Sequence, residues 1–517
     1  MKISLPEEVQ IILNKFTEAG YQIYIVGGAV RDLLMNRQVN DWDFTTDAKP
    51  EDILKLFPEG FYDNKFGTVG IPISNVRGDE EEAKTGGAQE RSRASTAGSR
   101  LRPEDAPEIP ERQDPSYELT EPTGEIQIFE ITTMRKEGEY EDFRHPEQII
   151  WTDKIEEDLA RRDFTINAMA LKKESRVQSL ESGKKALLTL DPSDLTLIDP
   201  FRGQDDLKNK LIKAVGDPDK RFQEDALRLM RAIRIATQLE FDIESDTLKA
   251  IKRNASLITQ VSYERIRDEL FKLLASVNPY MGIVQLREAG ILQIILPEVE
   301  ATFGVMQAGP KHVRVYDIGE HSLQTLKHTP SSDPLVRFAA LLHDIGKTAT
   351  MKVDETGNVT FYHHEAVGGR IVLNTAKRFN LSKKQTDKLY RLVRWHLFTV
   401  DENQTDSAIR RFIRNVEVEN IDDMIALRIG DRIGGGTQKA VSWRMEKFRE
   451  RINQVLQKPF SVTDLKVNGK DVMEVLDITP GPKVGKVLNT LFEEVLEDST
   501  KNTREHLLER IKEVGNN

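Results

Sequence analysis

The stretch IYIVGGAVRDLLMNRQVNDWDFTTD, residues 23–47, decides how this chain is read. An apolar run, Ile23–Val26, ends in Gly27-Gly28, and a helix is expected from Ala29 with Arg31 and Asp32 in its first turn. A second short run carries Asp41-Trp42-Asp43. The order is strand, glycine turn, helix, strand. Glycines let backbone N–H groups come close to a phosphate, and a helix N-terminus favours negative charge. Side chains two apart on a strand share a face, so Asp41 and Asp43 are expected to point the same way. Two carboxylates beside a phosphate site suit Mg²⁺, which takes a few carboxylates plus substrate oxygens. Two such ions can clamp the attacking and leaving oxygens in phosphoryl transfer. Taken singly, the Gly-Gly is a plain turn and the Asp-x-Asp a solvated turn or cap; the motifs that follow make them a nucleotidyl-transfer site.

Before this stretch, MKISLPEEVQIILNKF reads as an amphipathic helix rather than a signal peptide. The chain has 517 residues, enough for three or four domains with ordinary cores. No apolar run is long enough to span a bilayer. Cysteine is absent, which excludes disulfides, thiolate metal sites and cysteine nucleophiles and suits a cytoplasmic protein. The net charge of −11 favours a metabolic enzyme over an RNA binder, but local patches matter more than the sum.

After Asp47, residues 50–57 form a short helix and Phe66–Ile73 a strand. Residues 77–117 are rich in Glu, Arg, Gly, Ser, Ala and Pro and read as a disordered insertion, with Arg91, Arg93, Arg100 and Arg102 as an alternative RNA-touching arm. In Glu125–Arg135, alternation sets Ile126, Ile128, Glu130 and Thr132 on one face. Glu130 is then a third carboxylate, able to hold a metal or take a proton from an attacking hydroxyl. Gly138–Trp151 is a polar loop with interleaved aromatics. Ile155–Leu171 looks helical and clusters Arg161, Arg162, Asp163 and Asn167. The arginines suit triphosphate oxygens, while Asp163 and Asn167, four apart, suit a ribose hydroxyl. Arg221–Leu239 reads as one helix carrying Asp225 and Arg228 on one face. A carboxylate and a guanidinium match the amino group and ring acceptor of cytosine and adenine. They clash with uracil and guanine, and each buried polar group left unpaired costs roughly 1–3 kcal/mol.

Taken in this order, GGAVRD, the Asp41/Asp43 pair, FEITTMR, RRDFTINAMA and EDALR resemble the motifs of bacterial tRNA nucleotidyltransferases, the CCA-adding enzymes, and of the related poly(A) polymerases. The resemblance covers roughly residues 5–300 apart from the insertion, which departs from the family pattern. It implies an α+β fold: a polymerase-β-type nucleotidyltransferase domain with a mixed sheet, then an all-α neck and body. It implies Asp41 and Asp43 as Mg²⁺ ligands, Asp225 and Arg228 as the base-reading pair, and Arg162 and Asp163 as nucleotide contacts. It also marks the Gly138–Trp151 loop as the element that switches from C to A addition. The implied partners are the tRNA 3′ end, CTP and ATP, with neither membrane nor DNA. Gly27, Gly28, Arg31 and Arg162 are expected to hold the triphosphate. Partial CC- or A-adding enzymes and poly(A) polymerases share much of this motif set.

The second half opens another pattern. RFAALLHDIGK places His343-Asp344 at the end of an apolar helix, and Glu320-His321, His363-His364, His396 and Asp431 surround it in sequence. An adjacent His-Asp pair can chelate one divalent ion. The run resembles the HD metal-dependent phosphohydrolases across about 318–435. That implies His321, His343, Asp344 and Asp431 as ligands of a second divalent metal, with Lys347, His364 and His396 nearby. A rival reading makes this half the main enzyme, with the N-terminal half a nucleotide sensor. Residues 461–517 read as a helical tail that resembles a tRNA-binding segment, with Lys466, Lys483 and Lys486 as phosphate contacts. The expected division is 1–172 head, 173–300 helical neck and body, 301–455 HD domain and 456–517 tail.

Overall fold

The computed structural model of the chain describes residues 5–63, 67–72, 128–137, 149–173, 195–307, 317–355, 358–401, 404–437, 442–456 and 462–515. The insertion at 77–117 and residues 138–148 of the polar loop lie outside the described residues. The chain divides into two compact units, 1–228 with 241–254, and 229–240 with 255–517.

The first unit is built on a seven-stranded mixed sheet. Its strands are β1 (Ile23–Val26), β2 (Asp43–Thr46), β3 (Phe61–Asp63), β4 (Thr68–Pro72), β5 (Ile128–Thr133), β8 (Ala170–Lys173) and β9 (Leu195–Ile198), in the order β3-β4-β5-β2-β1-β8-β9. A separate pair, β6 (Arg135–Glu137) and β7 (Ile149–Trp151), runs antiparallel beside it in sequence. The β2–β5 pairing is parallel, and the other pairings within the sheet are antiparallel. Alternation divides its residues between two faces. Ile23, Ile25, Phe44, Phe129, Ile131, Val69 and Ile71 join one core with helices α1 (Glu7–Glu18), α2 (Gly28–Leu34) and α3 (Pro50–Leu56). The opposite face carries Val26, Asp43, Glu130 and Gly70, and there Tyr24, Val26 and Ala170 pack with Ile155 and Leu159.

Three expectations change. β2 begins at Asp43, so Asp41 lies ahead of the strand and exposed rather than on its face. The run 155–171 is not one helix: it is a short helix (Ile155–Ala160), a 3-10 turn (Thr165–Asn167) and β8. The Asp163 carboxylate accepts the Phe164 N–H at 2.8 Å and Thr165 N–H bonds Lys213 O, so local and tertiary partners displace the helical ones. The run 221–239 breaks into helices Pro218–Glu224 and Arg228–Leu239. At the break the Asp225 carboxylate accepts the Leu227 N–H at 3.0 Å.

The second unit is largely helical. Gly430 and Gly434 let helix Ile421–Gly434 lie directly against helix Ile318–His328: a Cβ at Gly430 would stand 2.2 Å from Thr329 Oγ1, and one at Gly434 2.7 Å from Thr325 N. That approach carries Asp431 to His321. Residues 462–514 add their own small core around Leu491, Val495 and Ile511.

Candidate functional site

Two centres bring together most of the residues singled out in the sequence. In the first unit, Asp43 stands opposite Glu130 across the β2–β5 pair and opposite Val26 across β1–β2. Gly27 follows with φ 70°, a left-handed turn that glycine adopts freely. A Cβ there would sit 3.0 Å from Arg162 Nη1 and 3.3 Å from Asp43 Oδ2, so turn, guanidinium and carboxylate meet at one point. Beside it opens a cleft of about 310 Å³ lined by Asp43, Thr68, Thr132, Arg135, Arg161 and Arg162, with Val26 and Phe44. Asp158, fully buried, anchors two of these arginines: Arg161 Nη2 at 2.8 Å and Arg162 Nη2 at 3.4 Å. Burial opposes a charge on Asp158, but Arg161 and Arg162 outweigh it and hold its carboxyl below the ordinary range. The cleft lining itself carries three guanidinium groups, Arg135, Arg161 and Arg162, and one carboxylate, Asp43, an arrangement able to pair with phosphate oxygens.

Arg31 forms a bidentate pair with Asp32 and donates to Asn167 Oδ1 at 3.1 Å, and Asn167 Nδ2 donates to Asp163 Oδ1 at 3.2 Å. These four groups join the glycine turn to the RRDFTIN segment, so Asp163 and Asn167 do meet although no helix carries them. Arg228 donates to Glu224 Oε2 at 2.6 Å, to Arg221 O at 3.0 Å and to Arg161 O at 3.1 Å. It thereby holds the backbone of a residue that lines the cleft. Sequence reasoning missed Asp158 and Arg135. The i,i+3 and i,i+4 spacing of Asp158 to Arg161 and Arg162 was the available signal for the first.

The second centre lies in the second unit. Among the described residues, the groups of three or more histidine or acidic ligand atoms within 4.8 Å of one another are His321, His343, Asp431 and Asp344, His364, His396. Asp41, Asp43 and Glu130 form no such group. Asp344 joins the two. Its Oδ2 lies 3.2 Å from His343 Nε2 and 3.4 Å from His321 Nε2, and its Oδ1 lies 3.2 Å from His364 Nε2 and 3.6 Å from His396 Nε2. Asp431 Oδ1 lies 3.2 Å from His321 Nε2. His343, His364 and His396 each donate Nδ1–H to the carbonyl three residues back, at 2.9, 2.8 and 2.7 Å. A carbonyl only accepts, so each Nε2 is left to present a lone pair in the neutral ring. Two observations fit a bound cation. The His321 and His343 Nε2 atoms face each other at 3.2 Å, and the Nε2 atoms of His364 and His396 are buried without a hydrogen bond. Burial opposes a charge on Asp344, yet His343 and Lys347 hold its carboxyl well below the ordinary range. Lys347 Nζ reaches Asp344 Oδ2 at 2.6 Å and Gln307 Oε1 at 2.7 Å. Beside His364 opens a cleft of about 730 Å³ lined by Lys347, Phe361, Tyr362, Arg394 and Trp395 among others.

Family models match in succession along the chain. The Poly A polymerase head domain matches residues 23–102 and 111–213, the family described as "Probable RNA and SrmB- binding site of polymerase A" matches 240–303, the HD domain matches 313–427, and the family described as "tRNA nucleotidyltransferase domain 2 putative" matches 435–511. A CCA-adding enzyme of Levilactobacillus brevis is 27% identical over 511 residues, 98% of each chain. One from Limosilactobacillus reuteri is 35% identical over 287 residues, 54% of its length. The solved CCA-adding enzyme of Bacillus stearothermophilus shares the fold, with TM-score 0.63 at 24% identity over 98% of each chain. Among the described residues no helix is long and apolar enough to cross a membrane. An A-adding tRNA nucleotidyltransferase of Deinococcus radiodurans is 33% identical over 349 residues, 66% of this chain and 75% of that one. With this head, this pair of acidic strands and this relative, the chain belongs to the tRNA nucleotidyltransferase family.

Proposed function

We propose that this nucleotidyltransferase adds C, C and A in turn to the 3′ end of tRNA from CTP and ATP, without a nucleic-acid template, in the cytoplasm. The observation that carries the reading is the register of Asp43 with Glu130 beside an arginine-lined cleft. Asp41 and Asp43 would hold Mg²⁺, which when bound neutralises charge on the phosphates. Gly27, Gly28, Arg31 and Arg162 hold the triphosphate, with Arg161 and Arg135 alongside. Glu130 orients the terminal 3′-hydroxyl and takes its proton. The hydroxyl oxygen bonds to the α-phosphorus, the bond from that phosphorus to the β-bridging oxygen breaks, and pyrophosphate leaves toward the arginines. Asp163 and Asn167 meet the ribose. Asp225 and Arg228 read the base by the match of a carboxylate and a guanidinium to the amino group and ring acceptor of cytosine and adenine. The chain would work as head (1–172), neck and body (173–300), HD domain (301–455) and tail (456–517).

Addition of A alone is the second reading, favoured by the Deinococcus relative, whose name states that activity. Incubating the protein with tRNA ending before the first C, after it or after the second, plus labelled CTP or ATP, separates the two. CCA addition labels all three RNAs in order. A-addition labels only the last, and absence of label from every RNA would refute both.

The histidine cluster is proposed as a metal-dependent phosphohydrolase site, with His321, His343, Asp344 and Asp431 holding a divalent ion and His364 and His396 facing Asp344's other oxygen. The buried, unbonded Nε2 atoms support this. Hydrolysis of p-nitrophenyl phosphate or a cyclic nucleotide that His343→Ala abolishes and Asp41→Ala leaves intact is the expected result.

A further inference from the structure

The acidic row of the sheet continues past Glu130. Glu130 stands opposite Gly70 on β4, and Gly70 stands opposite Phe61 on β3. Cross-strand partners share a face, so Asp43, Glu130, Gly70 and Phe61 form one line. Phe61 is 46% exposed, unusual for a phenylalanine. Its ring does not stand over its own strand but lies back across Gly70: a Cβ at Gly70 would be 2.4 Å from its para carbon and 2.8 Å from Cε2. Glycine at this place is what lets the ring lie flat toward Glu130. Strands are about 4.8 Å apart, so the ring ends about 5 Å from the Glu130 strand and about 10 Å from that of Asp43. That is the reach of one nucleoside.

Direction follows from the chemistry. Displacement at phosphorus runs in line, with nucleophile and leaving pyrophosphate on opposite sides. Gly27 and Arg162 flank Asp43 on the β1 side, where the pyrophosphate belongs. The attacking hydroxyl must then come from the β5 side, along the line that ends at Phe61. An aromatic face accepts any base by stacking, which suits an acceptor whose last base changes as it grows.

We propose that Phe61, laid over Gly70, is the platform on which the 3′-terminal base of the acceptor RNA stacks. It is a positioning residue, and the proposal rests on the nucleotidyl-transfer reading given above. The test compares wild type, Phe61→Ala, Phe61→Leu, Phe61→Tyr and Gly70→Ala with an acceptor RNA ending in 2-aminopurine. Wild type and Phe61→Tyr should quench the fluorophore. Phe61→Ala, Phe61→Leu and Gly70→Ala, whose methyl displaces the ring, should not. KM for the RNA should rise roughly tenfold in those three variants while KM for the nucleoside triphosphate stays within twofold. Thermal unfolding checks that each variant is folded, and Gly70→Ala and Phe61→Leu decide the matter if Phe61→Ala is not. Unchanged quenching and RNA KM in the folded variants, with wild type active, would overturn the platform alone. Full rescue by leucine would overturn stacking. A wild type that transfers no nucleotide would overturn the underlying reading as well.

Discussion

In the first unit Asp43 and Glu130 stand in an open row on a sheet face, with arginines along one side. In the second, histidines and aspartates from separate helices close into a buried knot. His343 and Asp344 are 1% and 3% exposed at the side chain, whereas Asp41 and Glu130 face solvent. An open row admits a polymer end and a triphosphate together, and leaves it to bound ions and substrate to complete the charge balance. A buried knot supplies nitrogen and carboxylate oxygen ligands already aimed at one another, which suits a bound ion. The two centres therefore differ in kind, one open to what binds it and the other built in.

The contrast is most directly broken at its centres. Asp43→Ala should lower incorporation of labelled CTP by on the order of 10²–10³-fold while leaving metal uptake by the histidine cluster intact. Retention of activity would remove Asp43 from the chemistry. Asp344→Asn should abolish binding of Mn²⁺ or Zn²⁺ at the knot, followed by metal analysis of the purified protein, with nucleotide transfer within twofold of wild type. Arg228→Ala should raise misincorporation of UTP and GTP about tenfold in a four-nucleotide competition. Because Arg228 also holds the Arg161 carbonyl, kcat should fall with it. Unchanged selectivity would leave Arg228 with its structural role alone.

The smallest effect concerns stability. Asp158→Asn leaves two arginines without their buried anion and should destabilise the head by about 3 kcal/mol near neutral pH. The sign with pH follows from the depressed carboxyl. The charged form is favoured in the fold, so its contribution is present above the unfolded value of about 4 and is lost as pH falls through the folded one. The difference in Tm between wild type and Asp158→Asn should therefore shrink below about pH 4. A constant difference would mean that Asp158 acts through packing.

Much of the head was legible because strands alternate with period two. The faces of Glu130 and Phe129 in β5 follow from their spacing, and the burial agrees. Helix lengths were less legible at 155–171 and 221–239. There Asp163 and Asp225 bond nearby backbone N–H groups, and apolar periodicity alone does not register that competition.

From residue order alone came the family motifs, the glycine turn and the identity of the acids and histidines. Tertiary structure decided which of them meet. Asp43 stands opposite Glu130 because of the register in which β2 and β5 pair, Phe61 reaches the row because Gly70 lacks a Cβ, and Asp431 reaches His321 because Gly430 and Gly434 let two helices touch. Local spacing encodes direction along one element; contacts between distant elements depend on register and closest approach, which no window of sequence contains.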